Sequence, residues 1–442
     1  MSHVLYRKVE ATPQMAVGGE GIYLFDRSGR RYLDACCGVA VTSLGHGHRR
    51  VVDAIKRQAE QLCYAHAGAF TTDPAEELAD FLASRSPGLT HVYFLSSGSE
   101  IVDLCLRTAY QYHVEVGEPE RRLFVTRRQS YHGSTLATLA VSGNVQRRSI
   151  FDPILGPSAF VSPCYAYRDR RSGETDPEYG RRLAMELEAR ILDLGPGRVA
   201  AFVAETVVGS TSGAVPPVEG YFAEVQAVCR RHGVLLVLDE VMAGMGRTGH
   251  HFACAEDGVR PDIVAVGKGL AAGYQPIAAM LVSARVHEAI RRGSGMLRNG
   301  QTFVNHPLAC ATALEVQRTI VEEDLLENVR RRGVQMRRRL REVFADHPHV
   351  GDVRGRGLFI GVELVADRVS KAPFPAEDQV SNRVKASALD EGLMVYPLSG
   401  TIDGTTGDHV LLAPPFICSE DDVERIVTGF SAAVGALFPL VR

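Results

Sequence analysis

The sequence predicts an α/β fold: a large part built on a mostly parallel sheet between helices, and a smaller α+β part towards the C-terminus. Three observations carry this expectation. Ala201-Phe202-Val203-Ala204, Leu235-Leu236-Val237-Leu238 and Ile263-Val264-Ala265-Val266 are short continuous apolar runs, the pattern of strands buried on both faces. Other stretches set apolar residues at helical spacing, as do Val51, Ile55, Ala59 and Leu62. Beyond residue 350 the pattern shifts to β-α-β-β over 353–365, 381–391, 392–396 and 410–412, with a final helix over 419–438.

Composition narrows the function classes. At 442 residues the chain is long enough for two domains, or one large domain with a satellite. A net charge of −3 gives no electrostatic reason to expect nucleic acid or an anionic membrane as partner. No apolar run reaches the roughly 18 residues that span a bilayer, and the opening MSHVLYRKVEATPQ lacks the apolar core of a signal peptide. The 9 cysteines form no C-x-x-C pair, so reduced thiols and a cytoplasmic location are expected.

Taken in order, YLFDRSGRRY alternates about a Ser-Gly turn and reads as a hairpin. A glycine-punctuated loop follows, then helices over 51–64 and 75–84, the second opened by Asp73-Pro74. Val92-Tyr93-Phe94-Leu95 reads as a strand, Ser96-Ser97-Gly98-Ser99 as a small-residue turn and 100–113 as a helix. Such a turn points backbone N–H groups and hydroxyls at an anion, phosphate being the natural occupant; an ordinary serine cap explains it equally well. Tyr131-His132-Gly133 follows another strand, where an aromatic ring either stacks on a flat heterocycle or is half-buried packing. Residues 163–178 read as a polar surface excursion and 181–194 as a helix. Glu205 closes a buried strand, as a ligand group or a salt-bridged loop residue. Residues 322–343 read as one long charged helix whose arginines are balanced by acids, a solvated face rather than a nucleic-acid surface. The histidine pairs 46/48, 250/251 and 347/349 lack cysteine or carboxylate partners at ligand spacing, so no metal site is expected.

The chemistry concentrates between residues 235 and 269. Strand 235–238 delivers Asp239 at its C-terminal end, where open α/β sheets place ligands. Strand 263–266 ends in Gly267-Lys268-Gly269, whose glycines let a ligand come close. A lysine there is costly to bury unless it is paired, neutral or covalently used. The expectation is a Schiff base between Lys268 and pyridoxal 5'-phosphate (PLP), with Asp239 holding the protonated pyridine nitrogen. Gly244-Met245-Gly246-Arg247-Thr248-Gly249 spells G-x-G-x-x-G, but no helix opens inside it, and a dinucleotide reading is rejected.

DEVMAGMGRTG with PDIVAVGKGLAAGYQPIAAM resembles the signature of class III PLP-dependent aminotransferases, the ω-amino acid and amine:pyruvate group of fold type I, and the likeness runs from YLFDRSGRRYLDACCGVAVTSLGHGH to HVLLAPPF. The resemblance implies a seven-stranded large domain (66–325), with a small α+β domain drawn from both termini (1–65 and 326–442). It implies phosphate contacts from Ser97, Gly98 and Ser99, although Ile101-Val102 replace the family's Ala-Asn. Tyr131 and Val241 would flank the pyridine ring, with His132 and Glu205 beside it; Thr206 stands where proline is usual. Thr302 would reach the phosphate of a neighbouring subunit, implying a homodimer or tetramer with composite sites.

The implied reaction moves an amino group from an ω-amino acid or amine to a keto acid, pyruvate being expected. The family's carboxylate-clamping Arg-Pro-Leu is here Tyr396-Pro397-Leu398, followed by an extra polar loop, SGTIDGTTGDH. Arg356 and Arg298 are the alternative clamps. Ala40 and Ala67 replace bulky aromatics of amine-specific relatives, leaving Tyr64 and His66 as pocket candidates. An aminomutase, a dialkylglycine-type decarboxylase and a non-enzymatic PLP-binding regulator are the rival readings.

Overall fold

The computed structural model describes residues 3–9 and 12–438. Strands β1 (Ala16–Glu20), β2 (Tyr23–Asp26) and β3 (Arg31–Asp34) form an antiparallel ribbon. The expected hairpin turn closes on Asp26, whose Oδ1 accepts the N–H groups of Ser28 at 2.9 Å and Arg30 at 3.0 Å.

Seven strands follow: β4 (Leu89–Leu95), β5 (Leu123–Arg127), β6 (Ser158–Val161), β7 (Val199–Glu205), β8 (Leu235–Asp239), β9 (Ile263–Val266) and β10 (Ala278–Ser283). They make one sheet in the order β4-β10-β9-β8-β7-β5-β6. The strands from β9 to β6 run parallel, while β10 is antiparallel to both of its neighbours. Every residue of β7, β8 and β9 is buried, because helices cover both faces of a parallel sheet. Alternation decides which core each side chain joins. Phe202, Leu236, Leu238 and Val264 pack on one face with Leu183 and Leu187 of helix Asp176–Leu194. Ala201, Val203, Val237 and Ala265 pack on the other with Ile101 and Cys105 of helix Gly98–Glu115. Each large apolar side chain so buried contributes about 1.5–3 kcal/mol.

The surface excursion read over 163–178 is shorter than expected: residues 169–173 are exposed, but Cys164 and Tyr165 are buried, and the following helix begins at Asp176 rather than 181, where Thr175 and Glu178 form a capping box and Pro177 sits in the first turn. The long charged helix read over 322–343 is Leu325–Val343, set off from the preceding helix Pro307–Glu322 where Asp324 takes φ 50°. The break turns Val316 and Ile320 of one helix, and Val329, Met336 and Leu340 of the other, into the same core. Its arginines pair with acids as expected, for example Arg339 with Glu424 at 2.9 Å.

The remaining strands are β11 (Val350–Arg356), β12 (Phe359–Leu364), β13 (Leu393–Met394), β14 (Tyr396–Ser399) and β15 (Asp408–Leu412). The single strand read over 353–365 is a hairpin, turned at Gly357 (φ 54°), where a Cβ would lie 2.6 Å from the carbonyl carbon of Thr248. An antiparallel sheet runs β11-β12-β15-β14, whereas β13 pairs in parallel with β3. One apolar core thus joins Ile22 and Leu33 to Val384, Leu393 and Phe430.

Arg354 of β11 ties this part to the loop after β7. Its buried guanidinium bonds Glu363 at 2.6 Å, Asp352 at 3.0 Å, the Gly213 carbonyl at 2.8 Å and the Tyr165 hydroxyl at 3.0 Å. Replacing it by methionine strands the fully buried Glu363 with Arg168 as its one remaining cation. Arg354→Met is expected to cost about 3 kcal/mol, the lower end for a broken buried pair, read as a lowered urea midpoint.

Candidate active site

Adjacent parallel strands bring three functional groups to one edge. In register Glu205 lies beside Asp239, and Asp239 beside Ala265, so β9 delivers Gly267-Lys268 next to the two acids. Asp239 is held rigidly. Its Oδ1 accepts the Val241 N–H at 3.0 Å and its Oδ2 accepts the ring N–H of buried His132 at 2.9 Å. A carboxylate partner fixes that proton on Nδ1. The histidine is fastened in turn, its main-chain N–H donating to Ser142 Oγ at 2.9 Å and its Nε2 lying 3.4 Å from Thr126 Oγ1.

Lys268 opens a single 3-10 turn with φ 45°. The left-handed region costs a residue with a Cβ on the order of 1 kcal/mol, strain that functional sites hold. Burial pushes its amine below the ordinary lysine value, Asp239 and Glu205 pull it back up, and Arg147 lowers it again. Among the described residues the amine makes no hydrogen bond or ion pair. A lowered pKa means a larger neutral fraction at a given pH below 10. In apoprotein, Lys268 is therefore expected to react with an acylating reagent at lower pH than a free lysine side chain does, scored by peptide mass spectrometry.

An anion has a place beside it. Ser97 caps helix Gly98–Glu115, its Oγ accepting the Glu100 N–H at 3.3 Å. The N–H groups of Gly98 and Ser99 are left at the positive end of an 18-residue helix. Ser99 Oγ accepts the Ser134 N–H at 3.0 Å and keeps its own proton to donate. Gly133 permits this approach: it holds φ 140°, and a Cβ there would lie 2.9 Å from Ser99 Cα. Ile101 and Val102, the departures from the family pattern, are core residues beneath the turn.

A flat ring has neighbours as well. The Tyr131 N–H donates to Glu205 Oε1 at 3.1 Å and its hydroxyl lies 2.9 Å from Ser134 Oγ. Val241 lies against two glycines, its Cγ1 3.0 Å from where a Cβ on Gly98 would be and 3.4 Å from one on Gly267. Glu205 also accepts the Gly209 N–H at 2.7 Å, and burial raises its pKa. Thr206, in place of proline, donates to buried Glu240 at 2.9 Å, so the departure adds a bond to a desolvated acid. An unpaired amine, a braced carboxylate, free helix N–H groups and an adjacent aromatic ring fit PLP chemically.

The other candidates sit elsewhere. Thr302 is exposed, its carbonyl accepting the Tyr64 hydroxyl at 2.9 Å, and His66 is exposed too. Tyr396 is partly buried and packs against the cluster that holds Ala40, Val207 and Phe359. Arg356 is committed to a two-pronged pair with Asp257 at 2.8 and 3.0 Å, and Arg298 is exposed. Sequence reasoning missed Arg147, whose guanidinium lies 4.3 Å from the Tyr131 ring centre. Its helix, Val145–Arg148, is too short to show a period; the Asn144 cap three residues earlier was the available signal.

The omega transaminase from Pseudomonas jessenii, solved in complex with PMP, matches this structure with a TM-score of 0.92 at 35% identity, covering 99% of this chain and 96% of that one. The fold is that of a fold type I transaminase. The Aminotransferase class-III family matches residues 5–434, and the chain belongs to it. It is 42% identical over 435 residues to an uncharacterized aminotransferase of Schizosaccharomyces pombe, covering 98% of this chain and 95% of that protein. It is 33% identical over 438 residues to gamma aminobutyrate transaminase 3, chloroplastic, of Solanum lycopersicum, covering 97% and 82%. The family's enzymes depend on PLP and act on small amino donors and acceptors. No helix among the described residues is long and apolar enough to cross a membrane.

Proposed function

We propose that this transaminase binds PLP at Lys268 and transfers an amino group from an ω-amino acid or amine to a keto acid, with pyruvate as acceptor. The observation that carries the reading is the unpaired Lys268 amine beside the His132-braced Asp239. When bound, PLP supplies an aldehyde and an electron-poor ring that acidifies the C–H next to the substrate nitrogen. Asp239 favours a proton on the ring nitrogen by opposite charge, and His132 keeps the carboxylate aimed. Lys268 would move the proton at the substrate carbon once its amine is free, and burial, which pushes that amine below the ordinary lysine value, favours the neutral form this role needs. Ser99 and the N–H groups of Gly98 and Ser99 hold the phosphate, Tyr131 and Val241 orient the ring, and Glu205 orders the Tyr131 loop.

The test is spectroscopic. An amine added to the purified enzyme is expected to bleach its long-wavelength absorbance, and pyruvate to restore it. Carbon dioxide release would mean a decarboxylase, and turnover without an acceptor a mutase.

The working unit on this reading is a homodimer in which Thr302 of one subunit completes the other's phosphate site. The exposed apolar residues Phe70 (70%), Phe303 (56%) and Met296 (57%), two of them close to Thr302 in sequence, support an interface there. Mixing inactive Lys268→Ala subunits with Thr302→Ala subunits is expected to regain activity, because one site of each mixed dimer is then intact. Subunits that complete their own sites give no gain.

A further inference from the structure

With tyrosine at position 396 and Arg356 bound to Asp257, the substrate's carboxylate needs another cation. The geometry points to Arg147 as the residue that selects carboxylate-bearing substrates, amino acids and keto acids rather than simple amines. This rests on the transaminase reading of the Lys268 site.

Three observations converge on it. Arg147 borders the reacting groups: it lies over the Tyr131 ring at 4.3 Å, and its charge is felt at the Lys268 amine. Among the described residues its guanidinium makes no ion pair and no hydrogen bond, whereas Arg148, one residue on, pairs with Asp152 at 2.8 Å. A half-buried guanidinium on an aromatic face, with no acid against it, has a full set of donors for a planar two-oxygen anion.

The extra polar loop explains how it is held. The Gly400 carbonyl accepts from buried Gln129 at 2.6 Å. Gly404 lies so close that a Cβ there would be 3.2 Å from the Val145 nitrogen, in the first turn of the helix that carries Arg147. Asn144 caps that helix, its Oδ1 accepting the Arg147 N–H at 3.2 Å. The loop brings two acids, but neither is spent on Arg147. Asp403 accepts the Thr405 and Thr406 N–H groups, each at 2.7 Å, and Asp408 accepts the Ser381 N–H at 3.1 Å. The insertion thus wedges the arginine in place without neutralising it.

The test compares two donors of equal chain length, one ending in a carboxylate and one in a methyl group, on wild type, Arg147→Ala and Arg147→Lys cofactor-loaded enzyme. Losing a charge-assisted two-point contact is expected to raise KM for the acid donor and for pyruvate by about 10- to 100-fold. Relative to the methyl-ended amine, kcat/KM for the acid donor is expected to fall by that factor, and lysine gives an intermediate ratio. Calorimetric titration with a straight-chain monocarboxylate lacking an amine should show the same loss of affinity without turnover. Equal losses for both donors would mean that Arg147 only props Tyr131, and no loss would leave the carboxylate elsewhere; either result overturns the assignment while sparing the transaminase reading. Wild type that reacts with neither donor overturns both.

Discussion

Replacing Lys268 by alanine is expected to lower the transamination rate by about 10⁴-fold or more, since one side chain both anchors the cofactor and carries the proton. The loss should be seen in single-turnover bleaching, and the resting enzyme should lack the absorbance that an amine bleaches. Stability is expected to move the other way. The amine is desolvated and has no hydrogen bond or ion pair to forfeit, so Lys268→Ala should leave the urea midpoint unchanged or raise it. The pH dependence has a definite sign. The folded amine loses its proton at lower pH than the unfolded one. Between those two values the unfolded chain binds more protons, so wild-type stability should rise with pH there. The alanine variant should lack that rise. A variant that is inactive because it is unfolded would contradict both readings.

Asp239→Asn is expected to reduce kcat by about 10²- to 10³-fold, the size seen when one preorganised electrostatic contact to a developing charge is removed. The amide keeps the volume and can still accept from His132, so the fold should persist. What disappears is the negative charge that favours a protonated ring nitrogen. The signature is a lower kcat with a near-normal urea midpoint and retained, spectrally shifted cofactor. A loss confined to KM would place Asp239 in substrate binding instead.

Much of this architecture is legible in the chain because strands β7, β8 and β9 are continuous apolar runs that end in chemistry-bearing residues. Shorter or blander strands are not. Ser158–Val161 spans 4 residues, and Ala278–Ser283 follows Pro276 with little to mark it as the antiparallel insertion between β4 and β9. The start of the long charged helix, read at 322 and found at Leu325, is marked by neither proline nor glycine, so its position is legible only to within a turn. At the site, Lys268 and Asp239 announce themselves by type and position. The His132–Asp239 bond, the Thr206–Glu240 bond and the reach of the 400–407 loop to Gln129 link residues more than 30 positions apart, so local spacing cannot report them.

The pairing of Leu33 with Leu393 sets an order of events during synthesis. The central sheet's strands end at Ser283, and its two apolar faces can condense while the ribosome is still reading later codons. The ribbon made first must wait with one border of β3 unsatisfied until Leu393 and Met394 emerge. That open border is where a nascent chain would stick to its neighbours, and where a chaperone would have the longest time to hold it.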